Sequence, residues 1–145
     1  MPALGQYANR RRRASDPSRQ TPGDGASKRF YREVLGLREH PRPPFDFHGA
    51  WFQLGGNQLH PIVHADATLR AGKGVDSRDI HFAVRVMSFA EALQFLKAKG
   101  YAEDLDDGDQ LKMKVSPHAT AGCPQIYILD PDRNVVEINA ERLDS

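Results

Sequence analysis

The stretch Gln125–Ala140, which reads QIYILDPDRNVVEINA, decides the fold of this chain. Two runs rich in β-branched and aromatic residues, Ile126–Leu129 and Val135–Ile138, flank the turn-forming sequence Asp130-Pro131-Asp132-Arg133. This pattern predicts a β-hairpin with a four-residue connection.

The second run of this hairpin carries an acidic residue among apolar ones. Side chains alternate between the two faces of a strand, so Glu137 points the same way as Val135 and Asn139. A buried carboxylate is costly unless a cation or hydrogen-bond donors compensate its charge. Glu137 is therefore the first candidate functional residue.

The composition predicts one ordinary domain and excludes several kinds of partner. The 145 residues can bury a core of their own, and 20 basic against 19 acidic residues give no case for binding nucleic acid or a membrane surface. The single cysteine, Cys123, excludes an intramolecular disulfide. No apolar run approaches the roughly 18 residues of a transmembrane helix, and the N-terminus lacks a secretory signal, so we expect a cytoplasmic protein.

Residues 1–25 differ in kind from the rest of the chain. They contain the run Arg10–Arg13, three prolines and three glycines, with few apolar residues. Such a segment cannot bury enough surface to offset its ordering entropy, which predicts a disordered basic arm. The arginine run could contact phosphates or act as a targeting signal, but without an aromatic or helical framework we interpret it as a solvated tail.

The middle of the chain alternates between helical and strand patterns. Apolar spacing predicts one helix over Ser27–Leu35, ended by Gly36, and a second helix that opens with a capping box of Ser88 and Glu91 and ends at Gly100. Polar connectors are predicted over 65–78 and 102–109, and a loop over 116–122. The predicted strands are Leu37–His40, Ala50–Leu54, Gln58–Val63, Ile80–Val86 and Leu111–Val115.

These elements repeat. A helix, a strand and a hairpin describe 27–63, and a strand, a helix, a strand and a hairpin describe 80–140. After the two hairpin turns, Asn57–His60 lines up with Asn134–Glu137, so His60 and Glu137 occupy equivalent positions. Two βαβββ units placed face to face would bring both final strands into one concave sheet.

Three segments of the sequence together resemble the vicinal oxygen chelate superfamily: FYREVLGL (30–37), HFAVRV (81–86) and YILDPDRNVVEIN (127–139). That superfamily includes glyoxalase I, extradiol dioxygenases, fosfomycin-resistance transferases and bleomycin-binding proteins. The resemblance covers about residues 26–140. It implies an α+β fold in which paired βαβββ modules, about 26–66 and 79–140, form a U-shaped, partly closed barrel around a divalent metal ion.

The resemblance also implies a set of metal ligands. In the family the ligands come from the first and last strands of each module, which by position gives His60, His81 and Glu137. Two imidazoles and a carboxylate can hold Mn²⁺, Fe²⁺, Ni²⁺ or Zn²⁺ and leave positions open for substrate oxygens. Glu137 would also be the catalytic residue, as a proton shuttle. A histidine on a strand is usually an ordinary half-buried residue. The internal repeat therefore supports this set of ligands more strongly than any single histidine does.

Six further residues are expected to line a substrate pocket. Each also has a plainer interpretation as a packing or loop residue. They are Trp51, Gln53, His64, Arg85, His118 and Tyr127.

The start of the chain departs from the family pattern. Family members open with a strand of the form His-apolar-Ala-apolar-x-Val, but matching Gly36 with Gly100 places the counterpart of His81 at Pro17, next to Asp16. The local sequence has no apolar alternation, so the first strand is missing or degenerate. We favour loss of the strand by truncation, gene-model error or frameshift. A three-ligand site and completion by a second chain, as in a homodimer, remain open.

The resemblance implies a metal-dependent enzyme that binds a small oxygen-bearing substrate, most simply a lyase or isomerase. Dioxygenase and thiol transferase chemistry fit the same residues. The competing hypothesis is a protein without chemistry that sequesters a small molecule, as bleomycin-resistance proteins do. The residue pattern does not separate these functions.

Overall fold

Two β-sheets, one in each of two units of the chain, contain every strand of the residues that the structure describes. This structure is a computed structural model, and it describes residues 24–64 and 70–145. The two units are 1–67 and 68–145. The described strands are not joined into one closed barrel. The predicted α+β class is confirmed, while most of the predicted arm and of the missing first strand lies outside the described residues.

The described part of unit 1 begins with a helix. Helix α1, Asp24–Arg29, continues as a π-helical turn, Phe30–Val34, and Gly36 ends it in a left-handed conformation with φ of 68°. The predicted glycine cap is thus present. The helix begins three residues before the predicted start, and so includes two residues that the composition assigned to the arm.

Three antiparallel strands follow in the order β1-β2-β3: Arg38–His40, Trp51–Leu54 and Asn57–Leu59. The buried Phe52 packs against Tyr31, with ring centroids 5.5 Å apart. The glycine pair Gly55-Gly56 closes the hairpin between β2 and β3, and Gly55 has a φ of 59° that suits this turn.

Strand β3 is shorter than the predicted Gln58–Val63, and Pro61 explains the difference. The chain keeps the same register beyond Leu59, because the Ala50 amide donates to the Pro61 oxygen at 3.0 Å and Gly49 pairs with Ile62. Pro61 has no amide hydrogen with which to complete the ladder. His60 therefore lies just beyond the regular strand.

Unit 2 contains a complete βαβββ module. Its elements are β4 His81–Val86, α2 Phe89–Ala98, β5 Lys114–Ser116, β6 Gln125–Leu129 and β7 Val135–Ala140. The sheet order is β4-β7-β6-β5, with β4 parallel to β7 and the other pairs antiparallel. No helix among the described residues is long and apolar enough to cross a membrane.

Helix α2 begins as the capping box predicts. The Ser88 hydroxyl oxygen accepts a hydrogen bond from the Glu91 amide at 3.1 Å, and Gly100 follows the helix with φ of 95°. Phe95 is buried, whereas Leu93 is only partly buried. The buried face consists of Phe89, Ala92, Phe95 and Leu96.

The connection of the final hairpin has five residues, one more than predicted. Leu129 pairs with Val135, so the connection runs from Asp130 to Asn134. The buried Asp130 carboxylate accepts hydrogen bonds from the amides of Asp132 and Asn134, at 2.9 and 2.8 Å. These bonds hold the turn, and Arg133 takes a left-handed φ of 68° within it.

Candidate functional site

One face of the unit 2 sheet carries the candidate site. Strand register places its side chains in three rows that run across the sheet. The first row is His81, Val135 and Leu129, the second is Ala83, Glu137, Tyr127 and Lys114, and the third is Arg85, Asn139, Gln125 and Ser116.

Glu137 lies at the centre of this face and is 6% exposed. Its Oε1 accepts hydrogen bonds from the side-chain amides of Asn139 at 2.7 Å and Gln125 at 3.1 Å. Its Oε2 lies 3.1 Å from Nε2 of His81. The acidic residue that stood out in the sequence is therefore surrounded by polar partners.

These partners set the charge of Glu137. Burial raises the pKa of the Glu137 carboxyl, but the hydrogen bonds from Asn139, Gln125, Tyr127 and His81 lower it by more, so the pKa lies below its usual value. Burial and the Glu137 charge raise the pKa of Tyr127 to about 12. At neutral pH the pair is therefore a carboxylate and a protonated phenol that donates to it.

A second contact fixes the orientation of His81. Its Nδ1 lies 2.7 Å from the backbone oxygen of Asp79, and a carbonyl oxygen can only accept, so Nδ1 carries a hydrogen. The Asp79 carboxylate is paired with Arg70, which is 5% exposed. Arg70 also donates from Nε to the backbone oxygen of Arg133 at 2.9 Å.

Residues 70–80, here called the strap, lie against one end of this face. Val75 packs on the cluster of Tyr127, Leu129 and Val135. The Lys114 ammonium donates to the Ser77 hydroxyl at 2.8 Å at the other end of the second row. The strap thus covers apolar members of the face, and the His81 side chain remains 26% exposed.

Unit 1 positions His60 by a similar hairpin. The His60 ring stacks on Trp51, with centroids 4.4 Å apart and planes at 9°, and its Nε2 lies 2.9 Å from Oε1 of Gln58. Each hairpin thus sets an aromatic residue across from a predicted ligand: Trp51 from His60, and Tyr127 from Glu137. His60 is the fourth residue after the Gly55-Gly56 turn, and Glu137 is the third residue of β7, so the two positions differ by one residue.

The other predicted pocket residues divide between the units. In unit 2, Arg85 and Tyr127 share the face of Glu137. In unit 1, the Gln53 side chain contacts His40, with Oε1 2.6 Å from Nε2. His64 and His118 are exposed loop residues, one beyond β3 and one after β5.

The pair His81 and Glu137 is compatible with a divalent metal ion. Nδ1 of His81 is bound to a backbone oxygen, which leaves Nε2 as the ring nitrogen that faces Oε2 of Glu137. An imidazole nitrogen and a carboxylate oxygen can both ligate a divalent ion. Two ligand atoms about 2.1 Å from one ion, at a right angle, lie about 3.0 Å apart, close to the observed 3.1 Å. Within the described ranges, no group of three or more His, Cys, Asp or Glu could hold a metal ion.

Two sets of contact residues were absent from the predicted site. Asn139 and Gln125 follow from strand alternation, because both share the face of Glu137. Arg70 and Asp79 belong to a stretch that the sequence pattern describes only as a polar connector. No local signal identifies them, since Arg70 contacts residue Arg133, 63 positions away.

A family model supports the same assignment as this geometry. The model described as the Glyoxalase/Bleomycin resistance protein/Dioxygenase superfamily matches residues 19–138. No curated protein matches the sequence significantly.

Several solved structures share the fold. A protein assigned to the glyoxalase family from Bacillus anthracis has a TM-score of 0.63 at 22% identity, covering 82% of this chain and 84% of that one. Lactoylglutathione lyase from Agrobacterium tumefaciens has a TM-score of 0.54 at 22% identity, covering 80% and 84%. A variant of the fosfomycin resistance protein FosX from Listeria monocytogenes, complexed with Mn(II) and 1S,2S-dihydroxypropylphosphonic acid, has a TM-score of 0.57 at 17% identity, covering 83% and 85%.

Proposed function

Because the chain belongs to the glyoxalase/bleomycin resistance protein/dioxygenase superfamily, we propose that it is a metal-dependent enzyme that acts on a small oxygen-bearing substrate. The observation that carries this proposal is the pairing of His81 with Glu137. Nε2 of His81 and Oε2 of Glu137 face each other at 3.1 Å on one sheet face, and the opposite nitrogen of His81 is bound to a backbone oxygen. This is the arrangement in which an imidazole and a carboxylate ligate one cation.

In this proposal His81 and Glu137 are two of the metal ligands. The family resemblance implies His60 as the third. The Mn(II) complex of the FosX variant supports a divalent ion at such a site. Among divalent ions, Mn²⁺, Fe²⁺, Ni²⁺ and Zn²⁺ suit a set of two imidazoles and one carboxylate. A bound ion would act as a Lewis acid towards substrate oxygens.

The protein's own residues suit proton transfer at this place. Glu137 is ionised at neutral pH because hydrogen bonds lower its pKa, so it can accept a proton from a carbon atom of the substrate. Gln125 and Asn139 hold Oε1 and keep the carboxylate in one orientation. A carboxylate that takes a proton from one carbon and returns it to another performs an isomerase or lyase reaction.

An aromatic cluster in unit 1 favours a second candidate function, non-catalytic sequestration of a small molecule. Phe45 and Phe47 stack at 5.0 Å, and Phe45 lies 6.1 Å from Trp51. Phe45 and Phe47 remain 45% and 40% exposed. Exposed aromatic surface of this kind is typical of sites that bind flat organic ligands.

Elemental analysis of the purified chain separates the two functions. We expect stoichiometric divalent metal in the wild type, its loss in His81→Ala, and full retention in His118→Ala, a matched control on an exposed loop. A panel of hemithioacetal, catechol and fosfomycin substrates would then identify the reaction class. Sequestration would instead be established by a wild-type chain that contains no divalent metal, if His60→Ala and His81→Ala both bind the ligand as tightly as the wild type does.

A further inference from the structure

Arg85 is a cation of the candidate site's face that the proposed ligand set does not use. Its Nε donates to Oδ1 of Asn139 at 2.9 Å, and the Asn139 amide donates in turn to Oε1 of Glu137 at 2.7 Å. Asn139 is buried, so the guanidinium group is held at one nitrogen and oriented by a rigid neighbour. Its position relative to Glu137 is therefore set by two successive hydrogen bonds.

The two terminal nitrogens of Arg85 have no hydrogen-bond or ion-pair partner in the part of the chain that the structure describes. Two arginines of unit 2 have carboxylate partners: Arg70 pairs with Asp79, and Arg78 with Asp76. Glu137 is the one carboxylate in the three rows, and its oxygens already contact other side chains. The fork of Arg85 is thus available to an oxyanion that the protein does not supply.

Ala83 is the one residue between Arg85 and His81 on this face of β4. It is exposed and pairs in register with Glu137. Four residues of strand separate the Cα atoms of His81 and Arg85 by about 13 Å. The methyl group of Ala83 is small and exposed, so it leaves the surface between His81 and Arg85 open to solvent.

We infer that the substrate carries a terminal oxyanion that Arg85 binds over Ala83, while its reacting oxygens face His81 and Glu137. This inference rests on the proposed function and adds the substrate class. A guanidinium fork matches carboxylate and phosphate oxygens in a bidentate manner, which adds geometric specificity to the charge attraction. A neutral diol or catechol would leave the fork without a partner.

Matched ligands test the inference through binding. The probes are 1,2-butanediol, 3,4-dihydroxybutanoate and glycerol 3-phosphate, which share a vicinal diol and differ in having no anion, a carboxylate or a phosphate. Dissociation constants are measured by protein-observed NMR on the Zn²⁺-loaded full chain. The proteins compared are wild type, Arg85→Gln, Ala83→Leu and the control Arg78→Gln, which changes net charge equally at an exposed site.

We expect wild type and Arg78→Gln to bind at least one anionic probe about tenfold more tightly than the neutral diol, and Arg85→Gln to lose that preference. The anion that is preferred, carboxylate or phosphate, identifies the group. Ala83→Leu should weaken the binding of all three probes. Denaturation midpoints and Zn²⁺ affinity should stay unchanged in Arg85→Gln, which shows that fold and metal site are intact.

Two results would overturn the inference. One is an anionic probe that binds wild type no more tightly than the diol, including the case in which neither binds. The other is a preference that persists in Arg85→Gln. A wild-type chain that binds no Zn²⁺ contradicts the proposed function instead. In that case the same titrations without metal decide whether Arg85 binds an anion.

Discussion

Nδ1 of His81 lies 2.7 Å from the backbone oxygen of Asp79, and this contact decides which ring nitrogen faces Glu137. Because Asp79 is in turn paired with the buried Arg70, the orientation of the histidine depends on a residue of the strap. Partners of this kind commonly control the affinity of a metal-binding histidine.

Replacing Arg70 tests that dependence. We expect Arg70→Met to weaken divalent metal binding by about 10- to 100-fold, because Asp79 loses its partner and His81 its fixed tautomer. Nitrogen NMR of the His81 ring would show a mixture of tautomers in the variant and one tautomer in the wild type. Arg133→Asn is the control: it removes the side-chain bond to the Lys73 oxygen and retains the backbone oxygen that Arg70 contacts. Equal metal affinity and tautomer in Arg70→Met and wild type would exclude a positioning role.

The pH dependence of stability tests the environment of Glu137. Hydrogen bonds lower its pKa in the folded state from the ordinary 4.5, so Glu137 stabilises the fold at pH values above 4.5. That contribution is lost as the pH falls through the lowered value. In metal-free protein, Glu137→Gln should therefore show a smaller loss of stability between about pH 5 and pH 3 than wild type. Urea denaturation over this range measures the effect, and Glu141→Gln, on an exposed residue, should follow the wild-type curve.

Substitutions at Gly49 and Gly56 test the hairpin that positions His60. An added Cβ at Gly49 would meet the Pro61 oxygen at 2.5 Å, whereas nothing lies within 4 Å of one at Gly56. We expect Gly49→Ala to lower the free energy of unfolding by about 1 to 3 kcal/mol, since a backbone atom must move to make room. Gly56→Ala should change it little. Similar thermal midpoints for the two variants would contradict the pairing of Gly49 with Ile62.

The cap of helix α2 gives a prediction about local stability. Ser88→Ala removes the hydroxyl that accepts from the Glu91 amide, which should cost about 1 kcal/mol. Ser88→Thr keeps a hydroxyl at this position, next to the Asp144 carboxylate that accepts from the Ala90 amide, and should recover most of the loss. Chemical denaturation measures both variants, and identical midpoints for Ser88→Ala and wild type would show that the cap does not contribute.

Local sequence determined the elements of unit 2 and the face on which Glu137 lies. Alternation in Val135–Ala140, the turn chemistry of Asp130 and the capping box of Ser88 act over a few residues, so their patterns can be interpreted from the sequence alone. The extra residue in the hairpin turn and the early end of β3 depend on which backbone groups find partners across the strands, which local patterns leave open.

Tertiary structure decided what surrounds Glu137. His81 reaches it from 56 residues away because β4 pairs in parallel with β7, and the parallel crossover sets which residues face each other. Arg70 joins the site through a strap whose own sequence is only polar and glycine-containing. Contacts between residues far apart in the chain follow from strand register and packing, and neither periodicity nor propensity encodes them. The sequence thus identified Glu137 by its unexpected charge, and the fold supplied the hydrogen-bond partners that compensate that charge.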